Sequence, residues 1–140
     1  MKVLLAADGS DYTQKALEFL VSNKSLLRPT EELLVIYVQS VIPTIFNMVI
    51  SVEKALEIHE LESKKIFAPI QKFLEKNAVK YRTISGIGSI AKVIVDTAKR
   101  ERVSLILMGT HGRDVAGQVL MGSVAQRVVA NSDTPVLLVK

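Results

Sequence analysis

The 140 residues predict one doubly wound α/β sandwich spanning residues 1–140, a five-stranded parallel sheet with helices on both faces. Three observations carry that reading. Continuous apolar runs recur along the chain, of the kind found in strands covered on both faces. Amphipathic segments with helical spacing separate them. Glycine, serine or aspartate marks the junctions where a strand would hand over to a helix.

Taken in order, Val3 to Ala7 reads as the first strand, and Asp8-Gly9-Ser10-Asp11 as a turn in which Ser10 or Asp11 caps the next helix. Ala16, Leu17, Leu20 and Val21 form one stripe of that helix. Leu33 to Val38 is the second strand. Val41 to Ile50 is unusually apolar for a loop and holds Pro43; it suits burial, a cover for a pocket or an interface. Ser51 to Asn77 follows with helical spacing, and Pro69 inside it predicts a kink or break near Lys65 to Ala68, because proline lacks the amide and clashes with the preceding turn. Val79 to Ser85 alternates apolar and basic residues, as an edge strand does. A helix is expected from Ser89 to Arg102 with Ile90, Val93, Ile94, Thr97 and Ala98 on or near its buried stripe. Leu105 to Met108 is the fourth strand, and a helix bearing Val124, Val128 and Val129 runs to about Asn131. The apolar run Val136 to Val139 is a fifth strand at a sheet edge, where it invites pairing with a second copy and predicts a homodimer.

Composition narrows the function classes. With 49% hydrophobic and 23% charged residues the chain can bury a sizeable core, and wholesale disorder is excluded. The absence of cysteine rules out disulfides and thiolate chemistry. Only five apolar residues precede Asp8 after the initial Met1-Lys2, too few for a signal peptide or a span, so a cytoplasmic protein is expected. The net charge of +4 is modest and its lysines and arginines are scattered; Lys99-Arg100-Glu101-Arg102 is interrupted by an acid, which argues for solvated surface over nucleic-acid binding. His59 has no second ligand at metal spacing and reads as a surface or core-edge histidine.

The chemistry concentrates in Gly109 to Ser123, between the fourth strand and the helix after it. A helix start offers amides without intrahelical partners and the positive end of the dipole, both suited to a phosphate. Gly109, Gly112 and Gly122 let the backbone approach a ligand, Ser123 can cap the helix or reach a phosphate oxygen, and Arg113 brings a cation. The same glycines also suit a plain strand-to-helix turn. Asp8, at the carboxyl end of the first strand, can hold a ribose hydroxyl or a nucleotide-bound magnesium ion, or can simply cap the helix. Two other phosphate loops fail. Gly117 to Ser123 has P-loop spacing with serine where the lysine must stand. Gly86-Ile87-Gly88-Ser89-Ile90-Ala91 is a weak dinucleotide signal without the acidic residue that should follow, and reads better as a turn with Ser89 as N-cap. No general base is poised in the cradle, where His111 is the sole imidazole and reads as structural.

Gly109-x-x-Gly112, nine residues, then Gly122-Ser123 resembles the G-2x-G-9x-G-S/T motif of the nucleotide-binding branch of the universal stress protein family. VLLAADGSDYTQKAL is similar to that family's first strand and helix, LLVIYV to its second strand and TPVLLV to its last. The resemblance covers essentially the whole chain. It implies the strand order 3-2-1-4-5 with the switch between the first and fourth strands, and ATP or AMP or ADP as ligand, with magnesium assisting. It implies further that the Val38 backbone meets adenine, that Ala7 and Asp8 form the first-strand binding pair, and that Met108, Gly109, Gly112, Arg113, Gly122, Ser123 and Val124 hold phosphates and ribose. Asp114 departs from the small residues common there. A regulatory or stress-response module that dimerises through its last strand, with slow ATP hydrolysis at most, is the expected function; a nucleotide-hydrolysing or nucleotidyl-transfer enzyme and a nucleotide-independent protein-interaction module are the alternatives.

Overall fold

The structure is a computed structural model that describes residues 1–27, 31–41, 51–112 and 121–140. Strands β1 (Val3–Ala6), β2 (Leu33–Gln39), β3 (Tyr81–Ile87), β4 (Leu105–Gly109) and β5 (Val136–Val139) form one parallel sheet in the order β3-β2-β1-β4-β5. Helices α1 (Asp11–Ser22), α2 (Val52–Lys76), α3 (Ile90–Arg100) and α4 (Ser123–Asn131) connect them, with a short 3-10 turn at Lys24–Leu26. The apolar runs become strands because alternate side chains serve opposite cores. Val3, Leu5, Val35, Tyr37 and Leu107 pack with Leu17 and Leu20 of α1 and Ile66, Phe67, Ile70 and Leu74 of α2. Leu4, Leu34, Ile36, Val38, Ile106 and Met108 pack with Ile94 and Ala98 of α3 and Ala125 and Val128 of α4. The expected doubly wound sandwich and its strand order are therefore what the chain forms.

Several expected boundaries move for identifiable reasons. Strand β3 begins at Tyr81, two residues late, because the amides of Ala78 and Val79 close the end of α2: they donate to the Glu75 and Leu74 carbonyls at 3.0 Å each, with Ala78 left-handed at φ 54°. The same closure ends α3 at Arg100, where Arg102 is left-handed at φ 53° and Val103 donates to the Ala98 carbonyl. Along α3, Ala91 joins Ile94, Thr97 and Ala98 in burial, while Ile90 and Val93 are only partly covered. Helix α2 runs unbroken through Pro69, so of the kink or break expected near Lys65 to Ala68 the break does not occur. Pro69 and Lys65, whose carbonyl loses its amide partner, are exposed residues, while Ile66, Phe67 and Ile70 keep the helix docked. Val129 of α4 is exposed rather than part of its stripe, which Ala125 and Val128 supply instead. The apolar segment from position 42 to Ile50 lies outside the described residues, as do Arg113 and Asp114.

Candidate functional site

The strand order reverses between β1 and β4: β1 leads toward β2 on one side and β4 toward β5 on the other. In a parallel sheet such a reversal leaves a crevice at the carboxyl ends of the strands. A cavity of about 350 Å³ fills that place. Its floor is the end of β1 and β4, paired Ala6 to Met108, and its apolar wall includes Ile90 and Ile94.

The loop after β1 is fixed by Asp8. Its Oδ1 accepts from the Ser10 amide at 3.0 Å and from the Thr13 hydroxyl at 2.9 Å, while its own amide donates to Thr13 Oγ1 at 3.1 Å. Gly9 takes φ 79°, and Ser10 caps α1 by accepting from the Thr13 amide at 3.4 Å. Ser10, not Asp11, is thus the cap; Asp11 opens the helix.

The loop after β4 approaches that carboxylate closely. A Cβ on Gly112 would lie 2.8 Å from Asp8 Oδ2, closer than carbon and oxygen tolerate. On Gly109 it would run into the Tyr12 Cβ, and on Gly122 it would meet the Thr110 carbonyl oxygen at 3.2 Å and His111 Cα at 3.3 Å. Gly122 closes the loop by donating its amide to the Thr110 carbonyl at 2.6 Å, and it is the N-cap residue of α4. Ser123, expected as a possible cap, is the first helical residue, so its amide and those of Val124 and Ala125 stand at the cavity as the helix's opening donors. His111 packs its ring against Tyr12 at 4.9 Å, its Nδ1 lies 2.9 Å from Thr110 Oγ1, and it lines the cavity.

Strand alternation supplies one more polar group. On β2, Ile36 offers its carbonyl to Ala7 on the β1 side, whereas Gln39 offers its own to Gly88 on the β3 side. Val38 therefore turns its amide and carbonyl toward the β1 side, where the strand has ended at Ala6, and it borders the cavity. Ala7, Asp8, Val38, Met108, Gly109, Gly112, Gly122, Ser123 and Val124 all line the same space. Among the described residues no group of three side chains could hold a metal ion.

One neighbour went unnoticed in the sequence, and another was read there only as a surface or core-edge histidine. Thr13 is buried and lines the cavity, signalled only by its place five residues after Asp8. His59 is buried at the edge of the α2 core, its Nδ1 2.8 Å from Gln39 Oε1 and its ring stacked on Tyr37; desolvation holds its pKa below the ordinary imidazole value.

Residues 1–140 match the universal stress protein family throughout. The chain belongs to that family. Universal stress protein MJ0531 of Methanocaldococcus jannaschii is 32% identical over 140 residues, covering 99% of this chain and 81% of that protein. The solved structure of the protein MJ0577 has 29% identity and a TM-score of 0.76, covering 99% of this chain and 94% of its own. The universal stress protein from Archaeoglobus fulgidus, solved in complex with dAMP, shares the fold at 20% identity and a TM-score of 0.71, covering 100% of this chain and 98% of that one. Among the described residues of this family member, no helix is long and apolar enough to cross a membrane.

Proposed function

We propose that this universal stress protein is a one-domain adenine-nucleotide binding module of cytoplasmic stress response, whose output is the occupancy of the cavity between β1 and β4. The observation that carries the reading is the meeting of Asp8 Oδ2 with the bare Gly112 position, which puts a carboxylate beside a glycine cradle and a helix start. In this reading the amides of Ser123 and Val124, with Gly109, Gly112 and Gly122 around them, receive the phosphates. Arg113 adds a cation. Asp8 takes ribose hydroxyls, and Ala7 and Met108 floor the pocket. The Val38 amide and carbonyl pair with the adenine edge. ATP, ADP and AMP share these groups, and magnesium on the phosphate chain is the only metal the reading needs. The dAMP held by the Archaeoglobus fulgidus family member supports the same ligand class.

Three or four charge-assisted hydrogen bonds at about 1.5 to 3 kcal/mol each bring about 5 to 10 kcal/mol, and micromolar affinity needs about 8 kcal/mol. Titration calorimetry of protein stripped of carried-over nucleotide should give micromolar dissociation constants for ATP. Absence of both heat and thermal shift at millimolar ATP and AMP overturns the reading. The exposed edge of β5 supports pairing of two copies through Val136–Val139, which light scattering at micromolar concentration checks. A strict monomer refutes the pairing alone.

A further inference from the structure

Thr13 stands on the first turn of α1 with 4% of its surface exposed, yet its hydroxyl is not spent on its own helix. It accepts from the Asp8 amide and donates to Asp8 Oδ1, gripping that residue at both ends. The Ser10 amide lands on the same Oδ1. Two donors on one carboxylate oxygen fix the side-chain rotation and direct the other oxygen, Oδ2, to the Gly112 side of the cavity. We propose that Thr13 is a positioning residue of the site, setting the Asp8 carboxylate in the orientation that accepts a ribose 2′-hydroxyl and so discriminates ribonucleotides from 2′-deoxynucleotides.

The inference rests on the nucleotide reading for its ligand and on the local geometry for its mechanism. A carboxylate free to rotate would have to be ordered when the sugar arrives, which lowers affinity; one already held does not carry that cost. A ribose hydroxyl donates and a carboxylate only accepts, so the pairing has the right sense. A Thr13 that merely supports the turn would affect ATP and 2′-deoxy-ATP alike. A Thr13 that aims Asp8 affects the ribonucleotide more.

Thr13→Val keeps the shape and removes the hydroxyl; Thr13→Ser keeps the hydroxyl. Calorimetry with ATP and with 2′-deoxy-ATP should show Thr13→Val weakening ATP about three- to tenfold and 2′-deoxy-ATP less than twofold, with Thr13→Ser preserving the wild-type ratio. Thr13→Ala serves the same comparison if the valine variant does not fold. An unchanged ratio in a folded hydroxyl-free variant overturns the inference. Three-bond couplings reporting the Asp8 χ1 angle in nucleotide-free protein provide a readout without ligand: one rotamer in wild type and averaging in Thr13→Val is expected, and a single rotamer in both overturns the positioning role. Wild-type protein that binds neither nucleotide, with the rotamer effect present, refutes the nucleotide reading and its ribose discrimination while leaving Thr13 as the residue that sets Asp8.

Discussion

The chain makes two glycine-spaced passages from strand to helix, Gly86 to Ser89 at the end of β3 and Gly109 to Ser123 at the end of β4, and they differ in what faces the missing side chains. At the first, a Cβ on Gly86 would meet Val93 Cγ1 at 2.9 Å and one on Gly88 would meet Val93 Cγ2 at 3.3 Å, so hydrocarbon fills the space. At the second, Gly112 faces the Asp8 carboxylate and Gly122 the backbone of Thr110 and His111, while Gly109 abuts Tyr12 of α1. Both turns lie at carboxyl ends of parallel strands and both open helices. The first, however, leaves the edge strand of the sheet, and the second leaves the strand beside β1, where another loop comes across to meet it. Glycine there serves helix packing in one place and approach to a cavity in the other, and topology decides which.

Alanine substitutions test that division. The largest effect is expected at Gly109, where the added methyl strikes the Tyr12 Cβ and lies 3.2 Å from Tyr12 backbone carbon, so no side-chain rotation relieves it. Gly109→Ala should destabilise by about 2 to 3 kcal/mol in urea unfolding and abolish nucleotide binding, since the α1 loop that carries Asp8 must shift. A stable Gly109→Ala protein with wild-type affinity would break the claim that this turn is set by the β1 loop.

Gly88 comes next. Its φ of 146° is a conformation that only glycine adopts without strain, and alanine should cost about 1 to 3 kcal/mol of stability. Nucleotide affinity should stay within twofold, because the strain falls on packing. Gly112→Ala should do the reverse. The methyl would press on Oδ2 of the carboxylate that Thr13 and Ser10 hold by its other oxygen, so the strain falls on the cavity: stability should drop less than at Gly88, while affinity for ATP falls about tenfold, or about 1.4 kcal/mol. If Gly88→Ala weakened binding more than Gly112→Ala, the assignment of the two turns would have to be exchanged.

How much of this was legible follows from which interactions are local. The four long apolar runs announced strands because a strand with Leu4 serving one core and Leu5 the other has no polar face to spare. The glycines and serine of Gly109 to Ser123 marked a strand-to-helix junction, though by themselves they suit a plain turn as well as a phosphate cradle. The strand order implied by the resemblance brought Asp8 beside the Gly109 to Ser123 loop, but the residues alone could not show which glycine meets it, nor that His59 reaches across to Gln39. The ends of β3 and α3 were misplaced because Ala78 and Arg102, neither a glycine, take the left-handed position that closes each preceding helix. Of the kink or break expected near Lys65 to Ala68, the break did not form because local propensity lost to the apolar face on either side of Pro69.

The smallest expected effect joins the two turns. His59 contacts the side chain of Gln39, whose carbonyl accepts the Gly88 amide at 3.0 Å, so the first turn is braced from α2. Ser63 Oγ donates to the His59 carbonyl at 2.8 Å and lies 3.4 Å from its Nε2. Desolvation lowers the His59 pKa, so the unfolded chain binds the proton more readily than the folded one. Stability from this group is present above the unfolded value of about 6.5 and is lost as pH falls from there through the lowered folded value. Glu101, whose pKa is lowered by Arg82 and then Lys2, adds its own loss only in more acidic solution, below the ordinary carboxylate range. Unfolding free energy should therefore decline modestly between pH 7 and pH 5.5, and His59→Asn should flatten the decline over that interval. The nucleotide-binding effect of Gly112→Ala should be the same at both pH values, because the brace acts on the packing turn and not on the cradle. A His59→Asn protein that keeps the wild-type slope would remove His59 from the account of stability, and a Gly112→Ala defect that grew at pH 5.5 would show that the two turns are coupled.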